Sequence, residues 1–166
     1  QDFGGFFDDT FVVVCGDALI DLDLASVVRK HWQSGAAASI VVREVAKDRV
    51  SNYGVVVCDD SGQIQSFQEK PKTEDALSQL VNTGIYIFEP EIVDLIPRGI
   101  DFDIGGELFP LILEKRLSFN AIKAPFNWID IGQLSDYWEA NQQMMRGKLR
   151  GVQMPGTEVR PKIWAG

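Results

Sequence analysis

Short runs of β-branched and aromatic residues, each stopped by glycine, proline or a polar cluster, alternate with segments of helical period along most of the 166-residue chain. Such alternation predicts an α/β layer with a largely parallel sheet, because parallel neighbours need long crossovers that a helix supplies. The valine-rich run Phe11–Cys15 reads as a buried strand that stops at Gly16. "LASVVRKHW" (Leu24–Trp32) places Leu24, Val27 and Val28 at helical spacing, and Gly35 stands just past it as a stop signal. Ala38–Val45 is the next strand. Tyr53–Cys58 and Gln63–Phe67 flank "DDSG" and predict a hairpin, whose second arm ends at Pro71 for want of an amide hydrogen. "EDALSQL" (Glu74–Leu80) reads as a short helix, "NTGIYIFEP" as a strand, and "EIVDLIP" as a helical turn or two closed by Pro97. A helix follows over Gly106–Arg116, with Pro110 as a kink or restart, then a strand in "FNAIKAP" and an amphipathic helix over Ser135–Lys148.

A chain of this length that is 45% hydrophobic can bury one core, so one domain over residues 1–150 is expected. Residues 151–166, with two prolines, three glycines and no helical period, read as a linker towards a further element. The net charge of −8 argues against a nucleic-acid partner, which would require clustered Lys and Arg. Cys15 and Cys58 sit in apolar runs without metal-ligand spacing and read as buried, reduced thiols. No stretch approaches the ~18 apolar residues of a membrane span, and no basic region precedes an apolar one at the start, so no membrane partner and a cytoplasmic setting are expected. The chain opens on "QDFGGFFDD" without a methionine, as a segment of a longer protein would.

Four stretches could carry chemistry. Asp17 follows Gly16 at the carboxyl end of the first strand, where ligands gather in open α/β sheets. It reads equally as an oxygen ligand for Mg²⁺ or as the start of a turn. "WIDIG" (Trp128–Gly132) repeats the layout, with Asp130 following apolar residues and a glycine close behind. Two such aspartates facing one cleft would hold a divalent ion, with helix capping as the alternative for Asp130. "QEKP" sets Glu69 beside Lys70 at a strand end. Neighbours on a strand point to opposite faces, so the two could serve one ligand only where the strand has broken, and Pro71 makes that break. Without a ligand they are a solvated pair of little energetic worth. "NTG" (Asn82–Gly84) heads a buried strand with two hydrogen-bonding side chains and a flexible residue. Asp21 and Asp23 read as the cap and first-turn charge of the helix that follows. His31, the one histidine, reads as a surface or packing residue. Dinucleotide, P-loop and zincin motifs are absent.

Taken in order, "VVVCGDALIDLDL", "YGVVVCDDSGQIQSFQEKP", "NTGIYIFEPEIVDLIP", "FDIGGELFPLILEK" and "WIDIGQLSDYWEAN" resemble the sugar-nucleotide pyrophosphorylases over roughly residues 11–149. The wording of "DIGGELFP" and "WIDIG" is most similar to bacterial mannose-1-phosphate guanylyltransferase-like members. The resemblance implies a Rossmann-like three-layer sandwich with a mixed, mainly parallel sheet. It implies formation of an NDP-sugar, GDP-mannose by this wording, and pyrophosphate from a sugar 1-phosphate and a nucleoside triphosphate. By the same resemblance Asp17 and Asp130 match the magnesium ligands. Glu69 contacts sugar hydroxyls, Lys70 the sugar phosphate, and Gly54 with Asn82, Thr83 and Gly84 lines the sugar pocket. The family's glycine-rich GGxGTRLxPLT loop has no counterpart here, so residues 1–150 are expected to be the sugar-binding part of the catalytic domain, without turnover alone. Residues 151–166 then lead towards a β-helix domain. The alternative is a non-catalytic sugar-phosphate-binding or regulatory module of the same fold. With no neighbour on one side, the Phe11–Cys15 strand is expected to promote self-association, partly covered by "QDFGGFF".

Overall fold

The computed structural model describes residues 7–151, 156–161 and 163–165, and these divide into two compact units. The first comprises residues up to Val14 together with Leu24–Ala124, and the second Cys15–Asp23 with Pro125 onwards.

The first unit is built on a six-stranded mixed sheet. Its strands are β1 (Phe11–Val14), β3 (Ala38–Glu44), β4 (Val55–Cys58), β5 (Ile64–Gln68), β6 (Leu80–Phe88) and β7 (Phe119–Lys123), while β2 (Ala18–Ile20) lies in the second unit. The order is β5-β4-β6-β3-β7, with β1 also on β6. The mixed α/β character matches expectation, but the mainly parallel pairing does not: among the described pairings only β3 with β7 is parallel. The reason is the place of β6. Both β1 and β3 run antiparallel to it, so those two strands are parallel to each other, as a strand, helix, strand unit requires, yet β6 lies between them. Phe88 stands opposite both Phe11 and Ala38. Local sequence pattern encodes strand direction poorly and strand order not at all.

Helix α1 (Leu24–Ser34) ends as expected at Gly35, whose φ of 63° is the left-handed conformation that glycine adopts without penalty. Its His31 is fully buried, with Nδ1 2.8 Å from Ser39 Oγ and Nε2 2.9 Å from Glu89 Oε1. Glu89 also accepts from Thr10 Oγ1, which in turn accepts from Trp32 Nε1. His31 is therefore a packing residue that ties the helix to the start of β1 and the end of β6. The predicted helix at Glu74–Leu80 is not formed. Its residues make a turn held by Gln68, whose side chain donates to Asp75 O and accepts from Leu77 N, and Leu80 joins β6. The segment predicted helical from Gly106 begins earlier, as a π turn at Ile104–Leu108, and continues as α2 (Phe109–Glu114). Pro110 stands in the first turn of α2, at the restart after the π turn. Phe109 is fully buried, with ring centroids of Phe67, Tyr86 and Phe119 at 5.1, 5.4 and 5.2 Å.

Among the described residues β1 is paired along one edge only, and Val12 and Val14 are exposed. Residues 1–6, expected to cover that edge, lie outside the described residues, although the Phe7 ring packs 4.7 Å from that of Phe11.

In the second unit β2 pairs antiparallel with β8 (Trp128–Asp130), which leads into α3 (Leu134–Met145). Residues expected to form a linker carry a small hairpin, β9 (Thr157–Arg160) with β10 (Ile163–Ala165). Asp21 corrects the reading of a helix cap. Its side chain is fully buried and accepts from Asn127 N and Nδ2, both at 2.6 Å, and from Arg150 N at 2.9 Å. Burial alone would push this carboxyl up, but the hydrogen bonds from Arg150 and Asn127 outweigh it and hold the group well below the usual carboxylate range. Asp21→Ala is expected to cost about 3 kcal/mol at neutral pH, because it strands donors that a buried charge had satisfied. A depressed pKa contributes stability in full above the unfolded value of ~3.9, and that stability is lost as pH falls through the lower folded value. Denaturant unfolding of both proteins should therefore show a gap that is full above about pH 5 and narrows in more acidic solution. A gap that is constant down to pH 2 would contradict the assignment. Among the described residues no helix is long and apolar enough to cross a membrane.

Candidate functional site

Asp17 and Asp130, far apart in sequence, are brought together by the β2–β8 ladder. Ala18 stands opposite Asp130, and Ile131 N donates to Asp17 O at 2.9 Å. Asp17 is exposed, in the turn where the chain leaves β1 and starts β2, and Asp130 is half-buried. That turn ends β1 at Val14, so Cys15 is exposed rather than buried as expected, while Cys58 is half-buried. Partial burial of its sulfur raises the Cys15 thiol pKa, and the charges of Asp17 and Asp130 raise it further. Both carboxylates therefore act on the space beside one strand end. The donor set fits Mg²⁺, which takes one or two protein carboxylates and leaves its other octahedral positions to water and phosphate. Among the described residues no cluster of three or more His, Cys, Asp or Glu forms a closed metal cage.

The second group of candidate residues lies in the sheet unit. Glu69 and Lys70 stand just beyond the end of β5, and Lys70 has a φ of 42°, in the left-handed region that a side chain normally avoids. The residue before proline disfavours the right-handed helical region, which leaves few ways to turn a strand sharply. This strained turn answers the geometric difficulty of "QEKP", because it brings both side chains to the same side: Lys70 Nζ is 3.9 Å from Glu69 Oε1. Both are exposed, at 65% and 52%, so their attraction to each other contributes little.

"NTG" forms a bulge in β6. Ile40 pairs with Tyr86 and Val42 with Asn82, so β6 carries two extra residues there, and Gly84 takes a φ of 74°. Three hydrogen bonds hold the bulge. Asn82 Oδ1 accepts from Gly84 N at 2.9 Å, Thr83 Oγ1 donates to Val41 O at 2.8 Å, and Asn82 N donates to Gly54 O at 2.8 Å. Thr83 is buried, and its hydroxyl secures the bulge. Asn82 stays half-buried, with Nδ2 donating to Tyr86 Oη at 3.0 Å. Gly54 is buried where a Cβ would run into the Phe67 ring and lie 3.2 Å from Glu69 Oε2. Gly54, Glu69, Lys70 and Asn82 therefore lie around the β4, β5 and β6 ends.

Sequence reading missed the π turn at this place. Asp103 Oδ1 accepts from Gly106 N, and Glu107 Oε2 accepts from Asp103 N at 2.7 Å, a reciprocal cap that fixes the turn. It sets Gly105 beside Glu69, with an ideal Cβ 3.4 Å from Oε2. The signal was the doubled glycine within a helical pattern, which costs stability unless something requires it.

Comparison with known proteins extends this picture. The chain is 53% identical, over its whole length, to a UTP–glucose-1-phosphate uridylyltransferase of Synechocystis sp., of which it spans 43%. It is 38% identical over 133 residues, 78% of this chain and 34% of the other, to the mannose-1-phosphate guanylyltransferase catalytic subunit beta of Xenopus tropicalis. The uridylyltransferase is the more similar of the two, although the motif wording pointed towards guanylyltransferases. The fold matches that of a UDP-glucose pyrophosphorylase complexed with UDP-glucose at a TM-score of 0.71 and 23% identity, over 86% of this chain and 58% of the other. The chain thus spans less than half of each of these curated relatives and just over half of the solved one. The nucleotidyl transferase family model matches residues 1–147, and the chain belongs to that family.

Proposed function

We propose that this chain is the sugar-phosphate and metal-binding part of an enzyme that joins glucose 1-phosphate to UTP, releasing pyrophosphate. The observation that carries the choice of substrates is the 53% identity with the Synechocystis uridylyltransferase along the entire chain. Glucose and uridine accordingly replace the mannose and guanosine expected from the motif wording.

In this reading Asp17 and Asp130 hold Mg²⁺, Lys70 pairs with the sugar phosphate, and Glu69 accepts hydrogen bonds from sugar hydroxyls beside Gly54 and Asn82. A bound magnesium ion would neutralise charge on the phosphates during in-line displacement. No general base is needed, since the attacking phosphate oxygen is already anionic. The protein's part is then orientation and charge: two carboxylates at one strand end, and an ammonium fixed by the left-handed turn before Pro71.

Lys70→Ala tests the assignment. In the protein that carries this chain, calorimetry should show glucose 1-phosphate binding weakened by about 10- to 150-fold, the equivalent of ~1.5–3 kcal/mol for a charge-assisted hydrogen bond, with UTP affinity nearly unchanged. Equal losses for the two ligands would refute the role given to Lys70.

A further inference from the structure

Gly54, Gly105 and Gly106 all lie near the carboxylates of Glu69 and Asp103. Gly105 and Gly106 lie within the π turn, where glycine costs ~0.5–1 kcal/mol relative to alanine, so these two call for a cause. For Gly54 the cause is packing, because a side chain there would run into the Phe67 ring. For Gly106 it is the cap: a Cβ would come within 3.1 Å of Asp103 Oδ1, the oxygen that accepts from its own N–H. Gly105 has neither cause. Its φ lies outside the left-handed region, and a Cβ would meet Glu69 Oε2, Asp103 Oδ1 and Phe67 Cε1 at 3.4, 3.5 and 3.6 Å, all ordinary contacts. Alanine would fit there without strain.

We propose that Gly105 is a specificity-determining residue, its missing side chain reserving the space beside Glu69 Oε2 for one hydroxyl-bearing carbon of the bound sugar. The inference deepens the reading of Glu69 as a hydroxyl acceptor and rests on it. Glu69 Oε2 is flanked by two bare Cα atoms from separate segments, with ideal Cβ positions 3.2 Å away at Gly54 and 3.4 Å away at Gly105. The Glu69 side chain is about half exposed, so a ligand can reach it. Asp103 Oδ1, already bonded to Gly106 N, places a second carboxylate at this wall. Two carboxylates suit neutral hydroxyl donors and repel phosphate, which assigns the wall to the sugar ring and not to the anionic end of the substrate. A methyl group at position 105 would occupy the volume needed by a hydroxyl donating to Oε2.

The test measures binding of glucose 1-phosphate and its 2-, 3-, 4- and 6-deoxy derivatives to the whole protein and to its Gly105→Ala, Gly105→Ser and Glu69→Ala variants, with thermal melting as a check on folding. Wild type should bind one deoxy derivative less well than the parent sugar, and Glu69→Ala should bind those two compounds alike. Gly105→Ala, with an unchanged or higher melting temperature, should lose about 10- to 100-fold in affinity for glucose 1-phosphate yet retain affinity for that same derivative. Gly105→Ser should behave in the same way. If Glu69→Ala weakens binding while Gly105→Ala weakens all five compounds equally or none, the proposal for Gly105 falls alone. If Glu69→Ala changes no affinity, the sugar-hydroxyl role of Glu69 falls, and the proposal with it.

Discussion

Phe109→Ala is expected to destabilise the protein by about 3–5 kcal/mol, the range for deleting a buried aromatic ring that its surroundings cannot close over. The ring is fully buried and meets Phe67, Tyr86 and Phe119 within 5.1–5.4 Å between centroids. These partners come from β5, β6 and β7, so one side chain at the start of α2 joins the helix to three strands of the sheet. Edge-on aromatic pairs, as Phe109 makes with Phe67 and Tyr86, add ~0.5–1.5 kcal/mol each beyond area burial, and alanine removes both together with the tilted contact to Phe119. In a chain of this size each kcal/mol shifts the melting midpoint by about 2–4 °C, so a fall on the order of 10 °C should be seen by calorimetry. Phe109→Leu, which keeps most of the volume, should lose less than half as much. The defect should also reach the ligand wall, since Phe67 packs on Phe109 with its other contacts directed at Gly54 and Gly105. A loss below about 1 kcal/mol would show that the helix and sheet do not depend on this ring.

The fold was legible where one local cause decides it. Runs rich in β-branched residues mark β1, β3 and β4, Pro125 stands just past β7, and Gly35 closes α1 where a left-handed residue is needed. What could not be read depends on partners distant in sequence. The insertion of β6 between β1 and β3 makes a sheet of parallel-running strands mostly antiparallel in its contacts. Gln68 captures Asp75 and Leu77 and so overrides a weak helical period. Asp21 resembled a cap because a helix begins three residues later, yet its hydrogen bonds come from Asn127 and Arg150. The site divides in the same way. Glu69 and Lys70 stood out because Pro71 forces a break, and Asp17 with Asp130 because both follow apolar runs beside glycine. The burial of Thr83 could not be read because its hydroxyl partner, Val41 O, lies on another strand, and the closeness of Gly105 to Glu69 appears only in the fold.

Asp130→Asn should lower turnover of the protein carrying this chain by about 10²–10³-fold, the loss typical when one preorganised electrostatic group is removed from a transfer site. The substitution keeps shape and removes charge, so the β2–β8 ladder, which is made by backbone groups, should survive it. Its effect should therefore lie in metal affinity. A neutral amide is a poorer partner for a hard divalent ion than a carboxylate, and with Asp17 left as the only charged donor of the pair, the Mg²⁺ concentration for half-maximal rate should rise well beyond the wild-type value. Mn²⁺ titration followed by electron paramagnetic resonance gives a readout independent of turnover, and affinity should fall in Asp130→Asn and in Asp17→Asn alike. Cys15 supplies a further measure, because its thiol pKa is raised in part by both aspartates and should move down towards its ordinary value when either charge is removed. If Mn²⁺ affinity were unchanged while the thiol pKa fell, the two carboxylates would share a strand end without sharing an ion, and the metal role proposed for them would be lost.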